Sequence, residues 1–132
     1  MKRTLLLLIA FAVFGGFNSA RSQEKAKWKE MDTFHEVMAK TFHPAEEGKF
    51  ESIKARSQEM LDKAVAWQNS TAPEGYNQKA VKKSLNELVK GAKEINTLVK
   101  ENAADDTLKT KLSKLHDVFH TIMEKCENEN HM

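Results

Sequence analysis

Hydrophobic residues recur at alternating spacings of three and four along four segments of the chain. The four runs are Trp28, Met31, His35, Met38, Phe42; Ile53, Ser57, Met60, Ala64, Trp67; Val81, Leu85, Leu88, Ala92, Ile95, Val99; and Leu108, Leu112, Leu115, Phe119, Ile122, Cys126. This period is typical of amphipathic helices, and no stretch alternates with the period of two that a half-buried strand shows. The pattern therefore predicts four helices and no sheet.

The breaks between these runs fall where helices are expected to end. His43 precedes Pro44, and a residue before proline is disfavoured in the helical region, so the first helix is predicted to end there. Residues 69–77 contain a proline and a glycine and form the longest connection, whereas residues 102–105 form a short one. Because short connections make neighbouring helices antiparallel, we predict an all-α fold, an antiparallel up-down-up-down four-helix bundle.

The first twenty residues have the features of a signal peptide. Lys2 and Arg3 precede an apolar run over residues 5–14, and small residues follow up to position 20. The run is too short to span a bilayer, which favours a cleaved signal peptide over a membrane anchor. The small residues that follow it predict cleavage after residue 20, with a cut after residue 22 as the alternative. Residues 21–132 are then one exported domain, periplasmic or secreted, with no membrane association after cleavage.

Charge and motif content narrow the function classes. Lys2 and Arg3 account for the net charge of +2, so residues 21–132 carry 19 basic and 19 acidic residues. Nucleic acid and anionic membranes normally require a basic excess, so neither is expected as the main partner. No nucleophile motif, glycine-rich phosphate loop or C-x-x-C-H sequence is present, and we expect no enzymatic activity and no covalent haem. Cys126 is the only cysteine, which excludes an intramolecular disulfide.

Met31, His35, His116 and His120 are the candidate ligands. Residues four apart share one face of a helix, and antiparallel packing of the first and last helices is expected to place Met31 beside His120 and His35 beside His116. A thioether and three imidazoles in one bundle interior predict a transition-metal site, for copper first and zinc second.

Each of these residues also has an ordinary structural interpretation. Methionine commonly fills bundle cores, and histidine pairs are common on helix surfaces. His35 would be a core histidine bonded to a polar neighbour. His43, with Glu46 close by, is a possible peripheral metal site or a polar corner, and Cys126 is a possible peripheral ligand or a small buried residue near the bundle end.

With its signal peptide, four predicted helices and proline-bearing second link, the chain resembles over essentially its whole length cytochrome b-562, the periplasmic four-helix bundle with non-covalent haem, and more distantly the cytochromes c-prime. Residues 31–34, Met-Asp-Thr-Phe, resemble the first-helix stretch that carries the family's methionine ligand, and residues 118–120, Val-Phe-His, resemble its last-helix aromatic-histidine pair. The resemblance implies haem b with Met31 and His120 as axial ligands, and His116 at the haem edge.

Three functional hypotheses follow. The first is a b-type haem protein that transfers electrons to a redox partner. The second is a copper- or zinc-binding protein that uses Met31, His35, His116 and His120 and passes its ion to a metal-transfer partner. The third is a helical interaction protein without a cofactor. The haem hypothesis needs neither His35 nor His116 as a ligand, and the bulky residues Phe34 and Phe119 favour a bare ion.

Overall fold

The computed structural model of the protein describes residues 27–125, which form four helices and no strand. The helices are α1 (Lys29–Glu46), α2 (Glu51–Asn69), α3 (Gln78–Lys100) and α4 (Asp105–Lys125). Each helix packs against the next one in the chain, and α4 returns to α1. Short connections make consecutive helices antiparallel. The predicted all-α four-helix bundle is confirmed.

The hydrophobic runs predicted for the last three helices form the core. Those members that lie within residues 27–125 are buried, except for Val99, which is half-buried against the same cluster. At one end of the bundle Trp28 packs edge-on against Trp67 and Tyr76, and its indole N–H donates to Ser70 Oγ at 2.8 Å. The period of three and four thus identified the buried face of α2, α3 and α4.

In α1 the buried face is rotated from the predicted one. Phe34, Met38, Thr41 and Ala45 are buried together with Val37, whereas His35 is exposed. The prediction that His35 lies on the buried seam is therefore wrong. Turning Phe34 inward removes more apolar surface from water than turning an imidazole inward, and it avoids the cost of desolvating the ring nitrogens.

Helix α1 also continues beyond its predicted end. Pro44 lies inside the helix, which ends at Glu46. Proline has no N–H to offer the carbonyl four residues earlier, and that carbonyl, at Lys40, instead accepts a hydrogen bond from Ser52 Oγ at 2.6 Å. The prediction of an end at His43 and Pro44 is wrong because α2 supplies the missing donor.

Several sequence predictions concern residues outside 27–125. The signal peptide at residues 1–20, its alternative cut after residue 22, and Cys126 all lie outside the described part of the chain. None of the helices within that part is both long enough and apolar enough to cross a membrane.

Candidate metal centre

Two histidines of α4 form the centre of the candidate site. His116 and His120 are one turn apart, and their Nε2 atoms are separated by 3.1 Å. Both side chains are half-buried, so their nitrogens lie at the bundle surface rather than in its core. The helical period alone places these two imidazoles together, as the sequence predicts.

Glu124 extends this row by one more turn. Its Oε1 lies 3.2 Å from Nδ1 of His120. A carboxylate that accepts the Nδ1 proton fixes the tautomer of a neutral imidazole and leaves Nε2 with its lone pair. Sequence reasoning missed Glu124, although its position four residues after His120 was a visible signal.

Helix α1 supplies an aromatic surface for His116. The ring of Phe42 stacks on the His116 ring with centroids 3.9 Å apart and planes 9° apart. Burial lowers the pKa of His116 below its ordinary value of 6.5, and the nearby His120 lowers it further, while Asp117 and Glu46 act in the opposite direction. His116 is therefore mainly neutral at pH 7, the form that a metal ligand requires.

The pairing of α1 with α4 differs from the predicted one. Phe42, and not His35, stacks on His116, while the ring of His35 stacks on Phe119 with centroids 5.0 Å apart. Two turns of α1 separate His35 from Phe42. The expected pairing of His35 with His116 therefore does not hold, because the buried rings of Phe34 and Phe119 set the register between the helices.

Met31 and His43 lie toward opposite ends of α1. Met31 is half-buried and packs against the hydrophobic core, whereas the polar contacts of His120 are with His116 and Glu124. His43 is exposed, with Nδ1 at 3.4 Å from Glu46 Oε2 and its ring against Phe42. The ring of Phe42 thus lies against both His43, its neighbour in the chain, and His116 of α4.

The packing between α1 and α4 does not fit a porphyrin held by Met31 and His120. Phe34 and Phe119 are buried with centroids 6.0 Å apart, and Trp67 lies within 5.9 Å of both. A close-packed interior leaves no slot of porphyrin size, so these rings would have to move.

The four-ligand site that the sequence predicts is not assembled. Among residues 27–125, no three His, Cys, Asp or Glu side chains are grouped closely enough to hold a metal ion as they stand. The arrangement instead offers two imidazole nitrogens at once, with His35 turned to Phe119.

Comparisons with known proteins do not identify a relative. No protein-family model matches the sequence, and no curated protein or solved structure matches it significantly. The resemblance to cytochrome b-562 stays a prediction.

Proposed function

We propose that the protein binds a transition-metal ion, copper or zinc, through the Nε2 atoms of His116 and His120. The observation that supports this is the 3.1 Å separation of the two atoms. Two nitrogens bound at about 2.0–2.1 Å to one ion lie roughly 2.9 Å apart in a square-planar site and about 3.4 Å apart in a tetrahedral one. In the contact itself His116 Nε2–H donates to His120 Nε2, so an ion would take the place of that proton, with His116 then carrying its proton on Nδ1; small ring rotations would let both Nε2 lone pairs meet at the ion.

The surroundings of the pair suit this role. Glu124 orients the His120 ring through its Nδ1 atom, the nitrogen that would not bind the ion, as a carboxylate commonly does for a ligating imidazole. Imidazole is a good ligand for both copper and zinc, and copper(II) binds more tightly to a given nitrogen site. Two protein ligands leave coordination positions open to water or to a partner's side chain. Such a site is suited to binding and passing on an ion in the periplasm, where the sequence predicts the protein to be.

The test is metal affinity in histidine variants. We expect His116→Gln and His120→Gln each to weaken copper(II) and zinc binding by at least about ten-fold, since each removes one of two ligands. His35→Gln is the matched control, because it removes an α1 imidazole that faces Phe119 and should leave affinity unchanged. Competition with a chromophoric chelator measures the affinities, and circular dichroism checks the fold. Unchanged affinity in both α4 variants would refute the proposal.

Haem b and electron transfer form the alternative, which rests on the resemblance to cytochrome b-562. The aromatic packing between α1 and α4 weighs against it. We expect haem titrated into the purified protein to give no low-spin spectrum. A sharp Soret band that is lost in Met31→Ala and His120→Ala would instead establish haem binding with that axial pair. Failure of haem, copper and zinc alike would favour the cofactor-free interaction protein.

A further inference from the structure

We infer that α3 carries a lysine face that binds the protein to a surface of anionic phospholipid headgroups. The lysine face is the solvent-exposed side of α3 formed by Lys79, Lys82, Lys83, Asn86, Lys90, Lys93, Thr97 and Lys100. Residues 21–132 carry equal numbers of basic and acidic residues, so their net charge alone predicts no anionic partner. The fold separates these charges, because it places six lysines on one side of the bundle.

The lysine face follows the same helical period as the core. Positions 79, 83, 86, 90, 93, 97 and 100 lie four or three residues apart, as do the buried positions from Val81 to Ile95 on the opposite side of α3. All the side chains of the lysine face are exposed. Helix α3 packs against α2 and α4, and none of the helices within residues 27–125 covers its outer side. At 1.5 Å per residue, the row from Lys79 to Lys100 is about 32 Å long.

The charges of the lysine face are not paired. Within residues 27–125, none of its six lysines lies in an ion pair. Lys54 of α2, in contrast, contacts Asp105 at 2.8 Å. Glu87 and Glu94 of α3 lie on the flank toward α4, where they line a groove, and Glu94 pairs there with Lys111. The row itself therefore presents positive charge without an acidic side chain between its lysines.

The composition of the lysine face favours a lipid surface over a protein or a single-stranded nucleic acid. Protein–protein interfaces are depleted in lysine and depend on aromatic and other apolar anchors, and base stacking also requires aromatic side chains. The face consists of lysine, asparagine and threonine. Ammonium groups on flexible side chains attract a layer of phosphate headgroups without a fixed geometry, and each lysine near such a surface raises the affinity roughly five-fold. One side of a straight helix brings all six lysines to one plane.

Binding through α3 would leave the histidine pair accessible. His116 and His120 lie where α4 meets α1, since the ring of His116 stacks on Phe42. Helix α1 packs against α2 and α4, and within the described residues it makes no contact with α3, so it lies diagonally across the bundle. A protein bound through α3 would therefore present α1 to the aqueous side. The inference does not depend on metal binding.

Vesicle binding by two triple variants tests the inference. The first variant removes half the charge of the lysine face: K83Q/K90Q/K93Q. The matched control removes the same charge from α1, α2 and α4, one lysine from each: K29Q/K63Q/K109Q. We expect the wild type to sediment with vesicles of equal parts phosphatidylglycerol and phosphatidylcholine, and not with phosphatidylcholine alone. The first variant should bind roughly 100-fold more weakly, and the control should stay within about five-fold of the wild type.

Salt and metal dependence complete the test. Raising the salt from about 0.1 M to about 1 M shortens the Debye length from about 10 Å to about 3 Å, so it should release the wild type from the vesicles. EDTA is present throughout, and His116→Gln should bind vesicles as the wild type does, which keeps this test separate from that of the proposed function. Circular dichroism checks the fold of each variant.

Four outcomes would overturn the inference. The first is no binding of the wild type to phosphatidylglycerol vesicles, and the second is equal binding to phosphatidylcholine alone. The third is an equal loss of binding in the two triple variants, which would show that net charge and not the lysine face is responsible. The fourth is tighter binding to duplex DNA than to vesicles in the same buffer, which would indicate a nucleic-acid partner instead.

Discussion

The α2–α3 contact and the α1–α4 contact both bury the apolar faces of two helices, but they differ in the polar side chains that they include. Between α2 and α3 the apolar seam encloses one hydrogen-bonded polar group. Ser57 Oγ donates to Asn96 Oδ1 at 2.9 Å, and Asn96 Nδ2 donates to Gln58 Oε1 at 2.9 Å. Between α1 and α4 the contact consists of rings, with Phe42 on His116 and His35 on Phe119.

The difference lies in what the polar groups remain able to do. Ser57 and Asn96 are buried and bonded to each other, which fixes how the helices align and leaves them no role toward a ligand. The imidazoles of His116 and His120 are half-buried and carry nitrogens that titrate and bind metals. Metal binding is therefore expected at the less extensive α1–α4 contact and not at the buried polar group between α2 and α3. The predictions below test this difference between the two contacts, from the largest expected effect to the smallest.

Phe119→Ala tests whether the buried side chains between α1 and α4 are close-packed. The Phe119 ring is buried and packs on Phe34 and Trp67, so its removal should cost about 3–5 kcal/mol of unfolding free energy. Urea denaturation measures this cost. Leu88→Ala in α3 is the comparison, with an expected cost of about 2–5 kcal/mol. A cost below about 1 kcal/mol for Phe119→Ala would mean that the α1–α4 contact is not close-packed.

Asn96→Ala tests the buried polar group on the other side of the bundle. It leaves the buried Ser57 hydroxyl without its partner, and we expect a loss of about 1–3 kcal/mol. A double-mutant cycle with Ser57→Ala measures the coupling between them. Asn86→Ala, which removes an exposed hydrogen bond to Gln68, is the control and should have little effect. Additive single effects in the cycle would show that the Ser57–Asn96 bond does not couple the two helices.

Ser52→Ala tests how α2 supports the proline in α1, next to the candidate site. Loss of the hydroxyl leaves the Lys40 carbonyl without its donor and should cost about 0.5–1.5 kcal/mol. In a Pro44→Ala background, residue 44 regains an N–H that can donate to that carbonyl, so Ser52→Ala should then cost less. Thermal denaturation of the four proteins measures both costs. Equal costs in the two backgrounds would contradict this role of Ser52.

The pH dependence of stability tests the environment of His116 and is the smallest expected effect. Because the folded-state pKa of His116 lies below its ordinary value of 6.5, the unfolded state takes up the proton first as pH falls. Its contribution to stability is fully present above pH 6.5 and is lost as pH falls through the lower, folded-state pKa. Metal-free protein should therefore be less stable at pH 5 than at pH 7.5, and His116→Gln should reduce this difference. If the variant showed the same dependence of stability on pH as the wild type, His116 would not be the source of this pH dependence.

Local periodicity was enough to predict the helices and much of the core. In α2, α3 and α4 a single apolar seam is available, so burying it determines the helix orientation whatever the neighbours are. The meeting of His116 and His120 is equally local, because a spacing of four residues places two side chains on one face of any helix. The Glu124 contact with His120 has the same origin.

Tertiary packing decided what the α1 sequence leaves open. In α1 two overlapping seams have helical period, one through His35 and one through Phe34, and the neighbouring aromatic rings selected Phe34. The register that sets Phe42 against His116 follows from that choice. Where α1 passes Pro44, Ser52 of α2 donates to the Lys40 carbonyl that the proline leaves without its helical donor. Each of these outcomes depends on atoms of a second helix, so the pattern within one helix could not predict it.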